Sequence, residues 1–229
     1  MRFWALFKKE WRESVPVIGI AMAVLLVLGG GFIYMAAPSA NAFWESRYWH
    51  PGEEAYCYYQ YPFQEVSAIL WFSSLGLGLC LGGLHFWEPK LTKTWAFLIH
   101  RSTSRAQILG AKLLCALMAI PIGLGASWLI VYGYSHWMQQ EMIRPPYLRI
   151  LLDGWIYICF GYLAYLATAL AALVKTRWYT TRFFSFVWSL LIFICVVQVQ
   201  PISALLWLSV GLVVLMVLIR DRFHQREFN

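Results

Sequence analysis

Charge is scarce in this chain of 229 residues. Asp, Glu, Lys and Arg make up 13% of it, against about 25% in soluble domains. With 61% hydrophobic residues and a mean hydropathy of +0.60, a water-soluble enzyme and a disordered chain are both excluded. Cysteines number five (Cys57, Cys80, Cys115, Cys159 and Cys195). They are scattered, with no C-x-x-C and no His cluster, so neither a disulfide framework nor a metal site is expected, and four of them read as small apolar fillers inside spans. A G-x-x-x-x-G-K-[ST] phosphate loop is also missing, so any ATP that drives this protein must be hydrolysed by another subunit.

What the sequence has is long apolar blocks and aromatic anchors. Thirteen Trp and thirteen Tyr suit a protein with two membrane–water interfaces. Six segments are long enough to cross a hydrocarbon core of about 30 Å: 15–37, 66–87, 113–134, 154–174, 183–199 and 202–219. The predicted architecture is therefore an all-α polytopic membrane protein, one transmembrane domain over residues 1–229. An Ala40-Asn41-Ala42 sequence after the first block imitates a signal cleavage site, but the block is too long for a signal core and acidic Glu10 and Glu13 precede it. It is read as a first span.

Basic residues orient the chain. Fifteen of the eighteen lie in 1–13, 88–112, 175–182 and 220–226, and only Arg47, Arg144 and Arg149 lie in the alternate segments. By the positive-inside rule both termini are cytoplasmic, in a plasma (inner) membrane. The net charge of +7 is then a topology signal, and no nucleic-acid partner is implied.

Three regions outside the spans stand out. In residues 1–13, Phe3, Phe7 and Trp11 follow an i, i+4, i+8 stripe among charged residues, the pattern of an amphipathic helix lying in the inner interface before span one. Residues 38–65 form an aromatic outer loop. His50, Glu53, Glu54 and Cys57 there would share a helical face, but the Pro51-Gly52 step argues against a continuous helix, and an aromatic cap is preferred to a metal site. Residues 88–112 are the most informative. Pro89 ends span two; Leu91, Trp95 and Leu98 repeat at helical spacing, with Thr92 and Thr94 able to cap. His100–Arg105 then breaks the pattern, and Ser102 or Ser104 caps the helix that becomes span three. A loop of this length with its own short helix exceeds what connection requires and predicts a docking surface.

No ionisable group is expected deep in any span, which disfavours a proton relay or ion-coupled transport. An intramembrane protease is disfavoured too. Gly125-Ala126-Ser127-Trp128 lacks the second Gly of a rhomboid-like G-x-S-G, and no histidine is read inside a span as its base. Gly78 and Gly82 have the small-xxx-small spacing of a close helix contact, either an internal seam or an oligomer face. Trp71 and Ser74 on the same span, with Phe184 and Trp188 on span five, would suit an apolar or amphiphilic ligand, with plain core packing as the alternative.

The order of these parts resembles the membrane subunits of ATP-binding-cassette exporters, the type-2 permease family. The matching pieces are the interfacial helix with Lys8-Lys9-Glu10-Trp11, six spans with both ends inside, and the run from Glu88 to Leu114. The family's acidic residue after span two, Gly-Thr step, Leu-Leu stretch, Pro-x-Ser-Arg turn and Lys-Leu-Leu correspond here to Glu88, Lys93-Thr94, Phe97-Leu98, Ser102–Arg105 and Lys112-Leu113-Leu114. Lys93 replaces the glycine, and the proline is absent. The resemblance implies an ABC permease half that pairs with a second half, as a homodimer or heterodimer. Two ATPase subunits would hold ATP and Mg, and this chain would bind no cofactor. It makes Leu91–Ile99 a coupling helix, with Glu88, Leu91, Thr94, Trp95, Leu98, Arg101 and Arg105 the coupling residues. It also places spans two and five, with Trp71, Ser74, Phe184 and Trp188, along the transport path. A membrane scaffold or assembly factor without transport is the alternative, and an intramembrane enzyme a more distant third.

Overall fold

The computed structural model describes residues 2–34, 53–92, 104–138, 147–174, 183–197 and 201–225. Every described element is helical: α1 (Arg2–Val24), α2 (Glu53–Gly82), α3 (Glu88–Leu91), α4 (Arg105–Ile120), α5 (Ala126–Met138), α6 (Tyr147–Leu173), α7 (Phe184–Val197) and α8 (Pro201–Gln225). Three π-helical turns, Leu25–Gly29, Gly83–Trp87 and Pro121–Gly125, join helical stretches without breaking them. The last accommodates Pro121, whose missing N–H and bulky ring would otherwise interrupt the helical ladder.

Among the described residues, five helices are long and apolar enough to cross a membrane: 3–34, 66–91, 105–134, 150–173 and 203–223. Backbone hydrogen bonds are then satisfied within each segment, as hydrocarbon requires. The predicted fifth span differs. Among the described residues its helix, α7, has 14 residues, about 21 Å at 1.5 Å per residue, and residues 198–200 lie outside them.

Three further boundaries depart from expectation. Residues 2–24 are one helix, so nothing separates an interfacial segment from span one among them. Their charged residues sit on a helix whose apolar part simply continues. α2 begins at Glu53, immediately after the Pro51-Gly52 step, so residues 53–65 of the expected outer loop are helical. Pro89 likewise does not end span two. It occupies the first turn of α3, where a missing N–H is harmless, and the helix runs on to Leu91.

The bundle is built around α6. Of the most apolar window on each helix, 89% is buried on α6, against 22% on α1 and 28% on α8. Its sequence explains this position, because Gly161, Ala164, Ala167, Ala169, Ala171 and Ala172 keep its surface low enough for neighbours to approach. The most extensive packing in the molecule is α2 on α6, followed by α8 on α6. Outward faces of α1, α7 and α8 carry large exposed apolar side chains such as Ile20, Val27, Leu190, Leu206 and Val213. That is the surface of a helix bundle embedded in lipid.

Candidate functional site

The Gly78/Gly82 stripe is an internal seam. A Cβ on Gly78 would collide with the carbonyl oxygen of Gly161 on α6, and one on Gly82 would lie 2.7 Å from Thr168 Cβ. At this seam Ser74 Oγ donates to the Ile158 carbonyl at 3.0 Å and is fully buried. Trp71 stacks on Phe193 of α7, with centroids 4.8 Å apart, and Phe193 meets Phe160 of α6 edge-on. Phe184 is half exposed and stacks on Trp188. The indole nitrogens of Trp71, Trp128 and Trp188 are buried with no hydrogen-bond partner among the described residues. The four residues read as path-lining are thus divided: Trp71 and Ser74 in the seam, Phe184 and Trp188 on α7.

Of the predicted coupling residues, Thr94, Trp95, Leu98 and Arg101 lie outside the described residues, as does His50. Glu88 and Leu91 are exposed, Leu91 at 79%, and Arg105 is partly buried. The chain returns at Ser104, whose hydroxyl accepts from Gln107 N while the Gln107 side chain accepts from Ser104 N, a complete capping box at the start of α4. Just before the chain departs, Lys90 Nζ donates to the Ala172 carbonyl at 3.1 Å, serving an acceptor in the last turn of α6.

Beneath these two stems lies a cluster that sequence reasoning missed. Lys112 of α4 donates to Glu10 Oε1 of α1 at 2.7 Å, with side-chain exposures of 1% and 4%. Phe86 places its ring 6.0 Å from the same ammonium, at the outer limit of a cation–π contact. Glu10 Oε2 lies 3.7 Å from His85 Nε2, a contact that becomes an ion pair only if the imidazole carries a second proton. One turn on from Glu10, Ser14 Oγ sits 3.1 Å from the same Nε2, 2.8 Å from the Glu10 carbonyl and 3.6 Å from Cys115 Sγ. Across the ring, Nδ1 is 3.1 Å from Tyr165 Oη of α6, whose hydroxyl donates to the Lys112 carbonyl at 3.1 Å. A carbonyl only accepts, so the phenolic proton is spent there and His85 Nδ1 must be the donor to Tyr165.

Two sequence readings need correction here. His85 falls within the second span and is buried, so a histidine is present inside a span. Glu10 and Lys112 also belong to membrane-length helices and are buried against them. Both were read as flanking charges because each stands at the edge of an apolar run, where a side chain normally reaches water.

The cluster does not make a hydrolytic triad. Ser14 and His85 are at nucleophile–base distance, but Glu10 faces the same nitrogen as Ser14, and the opposite nitrogen meets a phenol rather than a carboxylate. Ser14 and His85 are also closed off, at 0% and 1% exposure. Ser127 offers no alternative, since its buried hydroxyl donates to the Gly123 carbonyl of its own helix. What the arrangement can do is hold four helices by directional polar bonds. No protein-family model, curated protein or solved structure matches this chain.

Proposed function

We propose that the chain is the membrane subunit of an ABC exporter of the type-2 permease kind. It would pair with a second permease half and two ATPase subunits that hydrolyse ATP with Mg. In this reading six segments cross the inner membrane, with α7 completing the set, and both termini are cytoplasmic. The first turns of α1 lie at the inner interface, and residues 91–99 are the coupling helix.

One observation carries the proposal. Between the second and third long apolar helices, the described residues end just past an exposed Leu91 and resume at Ser104, which caps the next helix. Both stems rest on a buried polar cluster. An exposed leucine on a braced, basic stretch fits a docking surface for a soluble partner better than a plain connection. Without a phosphate loop of its own, the chain would draw its energy from that partner. The substrate would be apolar or amphiphilic, matching the uncharged aromatics of α2 and α7.

A second reading, a scaffold or assembly factor, is favoured by the closed α2/α6 seam, where Ser74 is already spent on Ile158. The two separate in one experiment: purification of the tagged chain from its native membrane in mild detergent, with assay of vanadate-sensitive ATPase. The permease reading expects a co-purifying ATPase that persists in Trp95→Ala and Arg105→Ala variants while its hydrolysis becomes uncoupled from transport. A chain that brings down no ATPase overturns it in favour of the scaffold.

A further inference from the structure

The two stems that frame residues 93–103 are tied to each other twice, through different helices. On the first stem is His85, followed by Lys90; on the second is Lys112. The first tie is α1: Glu10 Oε1 holds Lys112 Nζ at 2.7 Å, while one turn on the Ser14 hydroxyl lies 3.1 Å from the acceptor Nε2 of His85 on the other stem. The second is α6: the Tyr165 hydroxyl accepts from His85 Nδ1 and donates to the Lys112 carbonyl, both at 3.1 Å. Lys90 adds a bond from the first stem to Ala172 near the end of α6.

Apolar packing is non-directional, whereas hydrogen bonds and ion pairs hold a distance and an angle. A buried ion pair adds little net stability over apolar packing of the same volume; its best-attested use is to specify an arrangement. Ionisable groups inside a membrane bundle are costly enough to mark function. We infer that Glu10, Ser14, His85, Lys112 and Tyr165 form a clamp that sets the spacing of the two stems and carries their displacement, as one unit, into α1 and α6. What displaces the stems rests on the permease reading, in which a partner ATPase pushes on the segment between them. The clamp itself rests on geometry alone. These are positioning residues: none touches a substrate.

The test uses the full chain in lipid nanodiscs. Spin labels are introduced through non-natural residues at Thr92 and Ala106, both exposed on the stems, which leaves the native cysteines untouched. Pulsed electron-spin measurements on the wild type are expected to give one narrow distance distribution. Glu10→Gln and Tyr165→Phe are each expected to broaden it at least twofold. The exchange Glu10→Lys with Lys112→Glu is expected to narrow it again, a rescue that simple packing does not provide. Tyr165→Phe removes one oxygen and no charge, so it reports even if the Glu10 variant fails to fold. A distribution of unchanged width in Tyr165→Phe overturns the clamp. Absence of a co-purifying ATPase overturns the permease reading alone, and the label distances then still decide the clamp.

Discussion

The Glu10–Lys112 pair makes a sharp energetic prediction. At 2.7 Å and an effective dielectric of about 20, the attraction is about 6 kcal/mol, while stripping water from each ion costs several kcal/mol. The pair as a whole therefore contributes little net stability, yet either charge left alone is expensive. Glu10→Gln or Lys112→Met alone should destabilise the chain by about 3–5 kcal/mol, the cost of an uncompensated buried charge. Glu10→Met with Lys112→Met should recover most of that loss, because two apolar side chains of similar length replace a desolvated pair. The assay is a double-mutant cycle on equilibrium unfolding in mixed detergent micelles, read by tryptophan fluorescence, with helicity checked for each variant. Singles that each cost under about 1 kcal/mol, the range of solvated surface pairs, would refute the reasoning. That outcome would mean water reaches the pair and the cluster is a polar rim rather than an interior site.

Two further predictions concern the seam around α6. Gly78→Ala should destabilise by about 1–3 kcal/mol or more, since its Cβ would meet the Gly161 carbonyl. Gly76→Ala, where a Cβ meets nothing within 4 Å, should be neutral in the same unfolding assay; equal effects at both positions would contradict the seam. Trp71→Phe keeps a ring to stack on Phe193 and deletes a buried indole N–H that has no partner among the described residues. It should be neutral or stabilising by up to about 1–3 kcal/mol, the cost of an unsatisfied buried donor. A loss of more than about 1 kcal/mol in that assay would overturn this expectation and show that the lost ring packing, or a partner of the N–H, outweighs the relieved donor.

Several features were legible in the sequence because hydropathy is additive along a chain. The all-helical class and all five membrane-length helices follow from windows of apolar residues, each interpretable without its neighbours. The expected fifth span is met among the described residues by the 14-residue helix α7. A serine cap at Ser102 or Ser104 was legible because caps are local, and the structure places it at Ser104, completed by Gln107. The glycine pair at 78 and 82 announced a close contact, but not with which helix.

The cluster was not legible, and the reason is its range. Glu10 and Lys112 are 102 positions apart, and His85 and Tyr165 are 80 apart. Local spacing says only that each lies near the polar edge of an apolar run. Edge residues usually send their charge to water, so topology was the natural reading of Lys112, and Glu10 looked like part of a solvated face. Whether they meet depends on how α1 and α4 are rotated about their axes and which helices they adjoin. Those choices are set by packing around α6, whose small residues admit α2 closely and bring His85 beside Tyr165. The sequence alone determined that this protein is built of long apolar helices, with basic residues concentrated between the second and third of them. Only the tertiary structure decided that one of those basic residues, Lys112, is held in a buried ion pair, because pairing across distant helices follows from the shape of their contact and not from any local pattern.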